Sequence, residues 1–315
     1  MSGFTPLAIR KPKTFWQKLL SQWELVLMSV PLLFYKFIFS YLPLTGWTMA
    51  FQNYKLGVRG IFNQEWVGFK HFQFLFSSAR FLRDVRNTLA MSFMNLISGY
   101  ICAVVLALLI NEVRHLPFKK AVQNISYLPH FLSWIIVAGM VSMALSTENG
   151  IINEVLIALS FIDKPILFLA NKDYFWQIVM FSNLWKEVGW STIIYLAAMT
   201  AIDPSLYEAA VIDGANRYHR MWHITLPGIK PTIAILLIMS TGYLLEAGFE
   251  IQYFLGNGLV VEMSETIDIF VLRYGMQQGN YSLSTVASIL KTVVSVILVT
   301  VSNTVAGKLG EEKLI

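Results

Sequence analysis

The chain has 315 residues, of which 56% are hydrophobic and only 14% are charged, and its formal net charge is +5. Soluble domains carry about 25% charged residues, so soluble, disordered and collagen-like classes are excluded and an integral membrane protein remains. The single cysteine, Cys102, excludes a disulfide scaffold and a cysteine-based zinc site.

The N-terminal residues 1–23 are predicted to form a cytoplasmic tail. Residues 14–23 have the pattern of a short amphipathic helix that lies at the membrane interface. The apolar run after them is too long for a cleavable signal peptide, and no small-residue cleavage site follows it. We therefore expect the chain to enter the membrane directly after this tail.

Six apolar stretches are each long enough to cross a bilayer, for which a helix needs about 20 residues. They lie at 24–44, 87–110, 124–146, 174–199, 231–249 and 285–306. They predict an all-α integral membrane protein whose six-helix transmembrane domain covers residues 24–306. A second cytoplasmic tail is predicted at 307–315.

The basic residues of the short connections indicate the orientation, because Lys and Arg favour the cytoplasmic side. Those that decide it are Arg114, Lys119, Lys120, Arg217, Arg220 and Lys230. They predict an N-in, C-in topology, with long outer loops at 45–86, 147–173 and 250–284. The middle loop is predicted to carry a surface helix at 150–161.

The cytoplasmic loop at 201–230 is predicted to form a helix–turn–helix. Asp203 is a good N-cap, and Pro204 suits the first helical position. Gly214 can end the first helix in a left-handed turn. A second short helix is predicted at 217–224, with a break at Leu226-Pro227-Gly228 before the next span.

The same loop contains a spaced motif, EAA-x3-G-x9-I-x-LP. It resembles the EAA loop of binding-protein-dependent ABC importer permeases. The resemblance assigns contact with an ATPase to Tyr207, Glu208, Ala209, Ala210, Asp213, Gly214, Ile224, Leu226 and Pro227. Segments such as NLWKEVGWSTIIYLAAMTAIDPSLYEAAVIDGA and AGFEIQYFLGNGLV further resemble carbohydrate-uptake permeases for oligosaccharides and polysaccharide fragments.

This resemblance implies a type I ABC importer permease fold in the bacterial plasma (inner) membrane. The chain would form half of a sugar translocation path, with a different second permease favoured over a homodimer. Two ATPase subunits, which use ATP and Mg²⁺, and an extracellular solute-binding protein are the other implied partners. Membrane lipid surrounds the complex, and no nucleic acid is involved.

The chemistry of an enzyme is missing from the sequence. No phosphate-binding G-x4-GK[ST] loop and no G-x-S-x-G nucleophile motif occur. His219 and His223 have the spacing of metal ligands on a helix, but Arg220 lies between them and the carboxylate of H-E-x-x-H is absent. We therefore expect no catalytic site, no metal and no cofactor in this chain.

Polar and aromatic side chains within the spans are candidates for the sugar path, because ionisable groups there usually face a cavity or a partner. The candidates are Asn183, Trp185, Lys186, Glu187, Trp190, Tyr195, Tyr243 and Glu246. Lys186 would suit a uronate, and at most one of the adjacent Lys186 and Glu187 should face the path. The same groups could instead pair with a second permease. Glu246 and Lys291 share a depth, so an ion pair between them is expected either between spans or between subunits.

Three glycines within spans, Gly139, Gly189 and Gly242, are predicted to let helices pack closely. Their absent side chains would allow one backbone to approach another. This is a packing prediction and assigns no ligand to these positions.

Two other functions remain open at this stage. The EAA loop contacts the ATPase and not the solute, so an ABC permease for a peptide, phosphate or another non-sugar solute would contain the same motif. A secondary transporter driven by an ion gradient would show inverted repeats with broken helices, and none is detected. A membrane-embedded enzyme is disfavoured by the missing catalytic residues.

Overall fold

The computed structural model describes residues 21–57 and 60–308. Within these ranges the regular secondary structure is helical, apart from one isolated antiparallel bridge between Gln52 and Trp66, and turns and loops join the helices. The predicted all-α class is confirmed. The interfacial helix predicted at 14–23 falls mostly outside the described residues, as does most of the two predicted tails, and these remain predictions.

The first apolar segment is α1 (Trp23–Lys36), which continues through a π turn at Phe37–Tyr41 and a 3-10 stretch at Leu42–Phe51. α1 has no buried residue, and Met28 is 72% exposed. Only the end of the segment packs on the rest of the chain, where Ala50 is fully buried. A helix that is apolar all round and has no core of its own is typical of a membrane span.

The next helices are α2 (Lys70–Ser77) and the 34-residue α3 (Ala79–Glu112). α3 begins eight residues before the predicted span, because the Ser78 side chain accepts a hydrogen bond from the Phe81 amide and caps the helix there. Its first two turns therefore project beyond the predicted span into the segment assigned to the first outer loop.

The span predicted at 124–146 is broken. α4 (Leu116–Tyr127) and α5 (Trp134–Ala144) are joined by a 3-10 turn at Leu128–Phe131 and are bent by 105° to each other. The bend lies at Leu132 and Ser133, whose backbone is extended, with ψ of 141° and 151°. Two consecutive extended residues interrupt the hydrogen bonds between residues four apart that would make one straight helix.

The predicted surface helix is confirmed as α6 (Ile151–Ala158). α7 (Lys172–Thr200) follows, capped by Asn171, and α8 (Pro204–Ile212) and α9 (Arg217–Arg220) form the predicted helix–turn–helix. Both helices of that excursion lie where the turn signals of the sequence placed them.

The predicted break at Leu226-Pro227-Gly228 is wrong. α9 continues through a π turn at Met221–Thr225 directly into α10 (Leu226–Thr241), and Pro231 lies inside that helix. The Leu226 amide bonds to the carbonyl of Met221, five residues back. The hydrogen-bond register then changes back to that of an α-helix at Pro227. Because proline has no amide hydrogen, no donor is left unpaired at this change, and the wide turn accommodates the proline ring. As a result α10 begins earlier than the span predicted at 231–249.

The segment after α10 is a series of short helices: α11 (Phe249–Leu255), α12 (Val261–Ser264), α13 (Ile267–Val271) and a π turn at Leu272–Gln277. The last helix is α14 (Tyr281–Lys308). The long loop predicted at 250–284 is thus mostly structured, as its length suggested.

Four of the described helices are long and apolar enough to cross a membrane, and the bent α4–α5 pair raises this number to five. α7 has 29 residues, enough to cross, but polar residues such as Lys186 and Glu187 make it less apolar than the others. Six spans therefore remain a prediction, as does the N-in, C-in orientation.

α3 and α7 form the centre of the packing, α4 and α10 pack against α7, and α14 packs against α10. Gly189 of α7 touches α4 so closely that a methyl group there would lie 2.0 Å from the Ser126 carbonyl oxygen. At Gly242 it would lie 2.8 Å from Val299 of α14, whereas at Gly139 no atom of the described residues beyond its own helix turn lies within 4 Å. The close-packing prediction is confirmed at Gly189 and Gly242 and is wrong within this chain at Gly139.

Candidate functional site

The α8–α9 hairpin (residues 203–220) begins and ends through local hydrogen bonds. The Ser205 amide donates to the Asp203 carboxylate at 2.9 Å, which lowers the pKa of that carboxyl. At the other end of α8, Gly214 has a φ of +79°, in the left-handed region that glycine adopts without strain. The Ala215 amide then bonds to the Ala210 carbonyl at 2.8 Å and closes the turn.

The outer surface of this hairpin is exposed and largely apolar. Ile212 is 86% exposed, and Glu208, Ala209 and Asp213 are also exposed. Leu206, Val211, Tyr218 and Trp222 add further exposed apolar area. An apolar surface with small side chains and one carboxylate at the end of a rigid helix pair suits contact with another protein.

Two contacts join the hairpin to α10. The Tyr207 hydroxyl lies 3.0 Å from the hydroxyl of Thr225, which is buried in the π turn. Gly228 lies against the side chain of Ile202, which leaves no room for a methyl group at that position. Of the other predicted coupling residues, Ile224 and Leu226 are partly buried at the start of α10, and Pro227 is exposed. α8 is therefore joined to α10 through side-chain contacts as well as through the backbone.

The two histidines of the hairpin do not form a metal centre with other ligands. His219 and His223 have ring centroids 6.0 Å apart, and Nδ1 of His223 lies 3.0 Å from the carbonyl oxygen of His219. Within residues 21–57 and 60–308, no group of three or more His, Cys, Asp or Glu side chains could hold a metal ion.

A cavity of about 370 Å³ lies between α3, α7 and the end of α10, and apolar residues such as Leu96 and Val188 line it together with polar ones. We call it the polar cavity after those polar residues. Five predicted path residues line it: Asn183, Glu187, Tyr195, Tyr243 and Glu246. Three do not: Trp185, Lys186 and Trp190. α7 thus presents one face to the cavity. Trp185, Lys186 and Trp190 lie on its other faces.

Lys186 and Glu187 meet at the break between α4 and α5. The Lys186 ammonium donates to the His130 carbonyl oxygen at 2.7 Å and lies 3.1 Å from the Glu187 carboxylate. Nδ1 of His130 lies 2.7 Å from the other oxygen of Glu187, and the His130 ring stacks on Trp190. Glu187 faces the cavity and Lys186 is buried, which agrees with the expectation that at most one faces the path.

The predicted pair between α14 and the segment after α10 is confirmed, with a further partner. The Lys291 ammonium lies 3.5 Å from Glu246 but only 2.6 Å from Asp268. Lys291 therefore bonds mainly to Asp268, which leaves the half-exposed Glu246 carboxylate available to the cavity.

Sequence reasoning missed the contribution of α3 to the cavity. Its lining includes Ser92, Asn95, Ser98 and Tyr100, and the Tyr100 hydroxyl lies 2.6 Å from that of Ser240 on α10. The signal was present, because Ser92, Asn95 and Ser98 follow one another at three-residue intervals and so share a helix face. Small neutral side chains of this kind are also common in helix–helix contacts within membranes, so the spacing alone does not indicate a cavity.

Burying a hydroxyl or amide group against lipid costs free energy, because the group has no hydrogen-bond partner there. Around a water-filled cavity the same groups are tolerated, because a solute can form hydrogen bonds with them. The polar cavity between apolar helices therefore defines a membrane permease. The sequence profile of the "Binding-protein-dependent transport system inner membrane component" family matches residues 5–309, and the chain belongs to that family. The family resemblance stated from the sequence and the inner-membrane location are confirmed.

The chain is similar along nearly its whole length to known permeases. It is 45% identical to the polygalacturonan/rhamnogalacturonan transport system permease protein YteP of Bacillus subtilis (strain 168), over 96% of this chain and 93% of that protein. It is 40% identical to protein LplB of the same organism, over 92% and 90%. Its fold matches a chain of a bacterial ABC transporter involved in the import of the acidic polysaccharide alginate, with a TM-score of 0.86, 38% identity and coverage of 94% and 99%.

Proposed function

We propose that this chain is a permease subunit of an ATP-driven importer for an acidic oligosaccharide. The observation that carries the proposal is the polar cavity of about 370 Å³ between spanning helices. Serine hydroxyls, asparagine amides and two carboxylates there can bond to sugar hydroxyls, and Tyr243 offers an aromatic face to a sugar ring. The names of the relatives, which transport polygalacturonan, rhamnogalacturonan or alginate, support the acidic class.

An importer of this kind needs three further kinds of subunit, which supply energy, the second half of the path and the sugar. ATP, with Mg²⁺, is hydrolysed in two partner ATPase subunits, one of which receives the exposed hairpin surface around Glu208 and Ala209. A second, different permease completes the translocation path, and an external binding protein delivers the sugar. One solved relative is described as an alginate ABC transporter in complex with its oligosaccharide-bound periplasmic protein. This supports the last of these partners.

Reconstitution of the complete complex in liposomes tests this function. Loaded with ATP on the ATPase side, the vesicles should accumulate trigalacturonate only in the presence of the binding protein, and ATP hydrolysis should rise with it. Trigalactose serves as the neutral control sugar. Uptake that persists without ATP and stops when an uncoupler removes the proton gradient would contradict the proposal.

Narrowing the cavity should block uptake without unfolding the protein. Ser191 lines the cavity, and Ser191→Leu would place an apolar side chain where sugar hydroxyls need partners. We expect uptake to fall by about tenfold or more, with the melting temperature unchanged within a few degrees. Thr292→Leu on the exposed face of α14 is the matched control and should transport normally. Equal uptake rates for the two variants would show that the cavity is not part of the sugar path.

Loss of the Tyr207–Thr225 contact should weaken coupling. Tyr207→Phe removes one hydroxyl hydrogen bond, worth about 0.5–1.5 kcal/mol, and preserves the ring packing. We expect more ATP to be hydrolysed per sugar imported, at an unchanged ATPase affinity for the permease. Tyr35→Phe, on the exposed surface of α1 and away from the hairpin, is the control. An unaltered ratio of ATP to sugar in Tyr207→Phe would show that this contact transmits nothing.

A further inference from the structure

Three arginines converge on one buried carboxylate at the end of the protein away from the α8–α9 hairpin. Glu265 is 1% exposed and accepts from Arg80 Nη2 at 2.6 Å and from Arg83 Nη2 at 2.9 Å. Arg273 Nη1 donates to the same carboxylate. We call Arg80, Arg83, Arg273 and Glu265 the arginine cluster.

The arginine cluster has more positive charge than its carboxylate neutralises. Asp84 is buried and lies 3.6 Å from Arg83, without a hydrogen bond to its oxygens among the described residues. Nearby, Lys172 pairs with Glu262, and Arg86 bonds to Asn87 and lies over Trp176. This region of the structure thus holds five cations and three carboxylates.

The arginines also retain unused donors. A guanidinium has five N–H donors, and the cluster uses two from Arg80 and one each from Arg83 and Arg273 on Glu265. The side chains of Arg80 and Arg273 are 39% and 38% exposed. Their free edges are therefore open to solvent, while Glu265 holds the guanidinium groups in place.

The cluster and the polar cavity lie along the same face of α3. Arg80, Asp84, Asn87, Met91 and Asn95 succeed one another at intervals of three or four residues. Arg83 precedes the cavity residue Ser92 by nine residues, which is about 14 Å at 1.5 Å per residue. Met91 and its buried apolar neighbours close the space between them. The cluster therefore lies in line with the cavity, beyond a closed apolar layer.

We propose that Arg80, Arg83 and Arg273 form an anion-binding site for the carboxylates of the acidic oligosaccharide before it enters the cavity. This inference rests on the proposed function and adds the site that recognises the charge. Planar guanidinium groups held in fixed positions bind a carboxylate through paired hydrogen bonds. Within the cavity itself, Lys186 is bonded to His130 and Glu187, and Glu187 and Glu246 are acidic. The charge of a uronate is therefore better matched by the cluster than by the cavity.

Direct binding of trigalacturonate to the purified complex, without binding protein and without ATP, tests the site. The double variant Arg80→Gln and Arg273→Gln keeps one arginine to pair with Glu265. We expect its affinity for trigalacturonate to fall about tenfold or more, with a weaker dependence on salt. The control variant Arg114→Gln and Lys120→Gln removes the same charge from exposed positions beyond the other end of α3 and should bind as the wild type does.

A second variant changes the affinity in the opposite direction. Glu265→Gln retains an acceptor oxygen but removes the competing negative charge, so trigalacturonate should bind more tightly than to the wild type. Equal affinities of all variants for trigalacturonate would overturn the proposal. A double variant that binds trigalacturonate normally but binds the sugar-free binding protein more weakly would also overturn it, because the arginines would then contact acidic residues of that protein. Since binding is measured without transport, a failed uptake assay contradicts the proposed function and not this site.

Discussion

Gly189→Ala is expected to abolish the folded complex or to lower its melting temperature strongly. The added methyl carbon would lie 2.0 Å from the carbonyl oxygen of Ser126 and 2.4 Å from its carbonyl carbon. Both are backbone atoms of α4, so no rotamer change relieves the overlap and α4 and α7 must separate. Overpacking a core usually costs about 1–3 kcal/mol, and we expect a cost of about 3 kcal/mol or more here.

Gly139→Ala is the matched control for this substitution. Both glycines lie in apolar helices, and both were predicted from the sequence to allow close packing. In the part of the chain that the structure describes, no atom outside the adjacent helix turns lies within 4 Å of the position that a Gly139 methyl would occupy. Alanine also costs less conformational entropy in a helix than glycine, by about 0.5–1 kcal/mol. Gly139→Ala in the isolated chain should therefore be neutral or stabilising.

Size-exclusion chromatography and thermal unfolding in detergent measure both variants. A Gly189→Ala protein that melts with the wild type would mean that α4 and α7 do not pack as described. A partial separation of the helices should also weaken the contact between His130 and Glu187, because Glu187 is only two residues from Gly189. Sugar uptake should then fall even in protein that remains folded.

Gly214→Pro should uncouple ATP hydrolysis from uptake. Proline cannot adopt the φ of +79° found at Gly214, and it removes the amide that donates to the Val211 carbonyl at 3.1 Å. It also disfavours the helical conformation of Asp213, which has φ −70° and ψ 0°. A conformational conflict of this kind costs about 1–3 kcal/mol, enough to shift the exposed hairpin away from its docking position. We expect basal ATPase activity to remain and sugar uptake to approach background.

Gly279→Pro imposes a similar conflict elsewhere in the chain. Gly279 has a φ of +69°, and Gln278 before it has φ −101° and ψ −5°. Gly279 lies just before α14, far from the hairpin in sequence, so its variant should lose some stability but couple normally. If both variants transported at the same rate, the assignment of coupling to the α8–α9 hairpin would be wrong. Stimulated ATP hydrolysis and uptake, measured in the same vesicles, separate the two outcomes.

The fold was predictable where the signals are local. Asp203, Pro204 and Gly214 act through hydrogen bonds and dihedral angles within a few residues, so the start and end of α8 agree with the prediction. Pro129 and Pro227 show the limit of such signals. The chain remains helical through Pro129 and bends only at the extended Leu132 and Ser133. Pro227 lies in a continuous helix, because a π turn before it changes the hydrogen-bond register.

The candidate path was only partly predictable. Glu187, Asn183 and Glu246 line the cavity, but Lys186 and Trp190 are bound to His130, a residue to which the sequence assigned no role. Which side of α7 faces the cavity depends on how that helix is rotated against α3 and α4. Nothing within α7 alone sets that rotation, since polar and apolar residues occur on several of its sides.

Composition and short-range pattern by themselves determined the membrane class, the helical architecture and the helix–turn–helix of the hairpin, while the permease family came from the resemblance of the EAA motif to known permeases. They could do so because hydrophobicity, capping and turn conformation depend on neighbouring residues. Only the tertiary structure decided which polar residues share a cavity and which arginines surround Glu265. Arg80 and Glu265 are 185 positions apart, and the contact between them exists only once α3 has packed against the segment that carries α12 and α13.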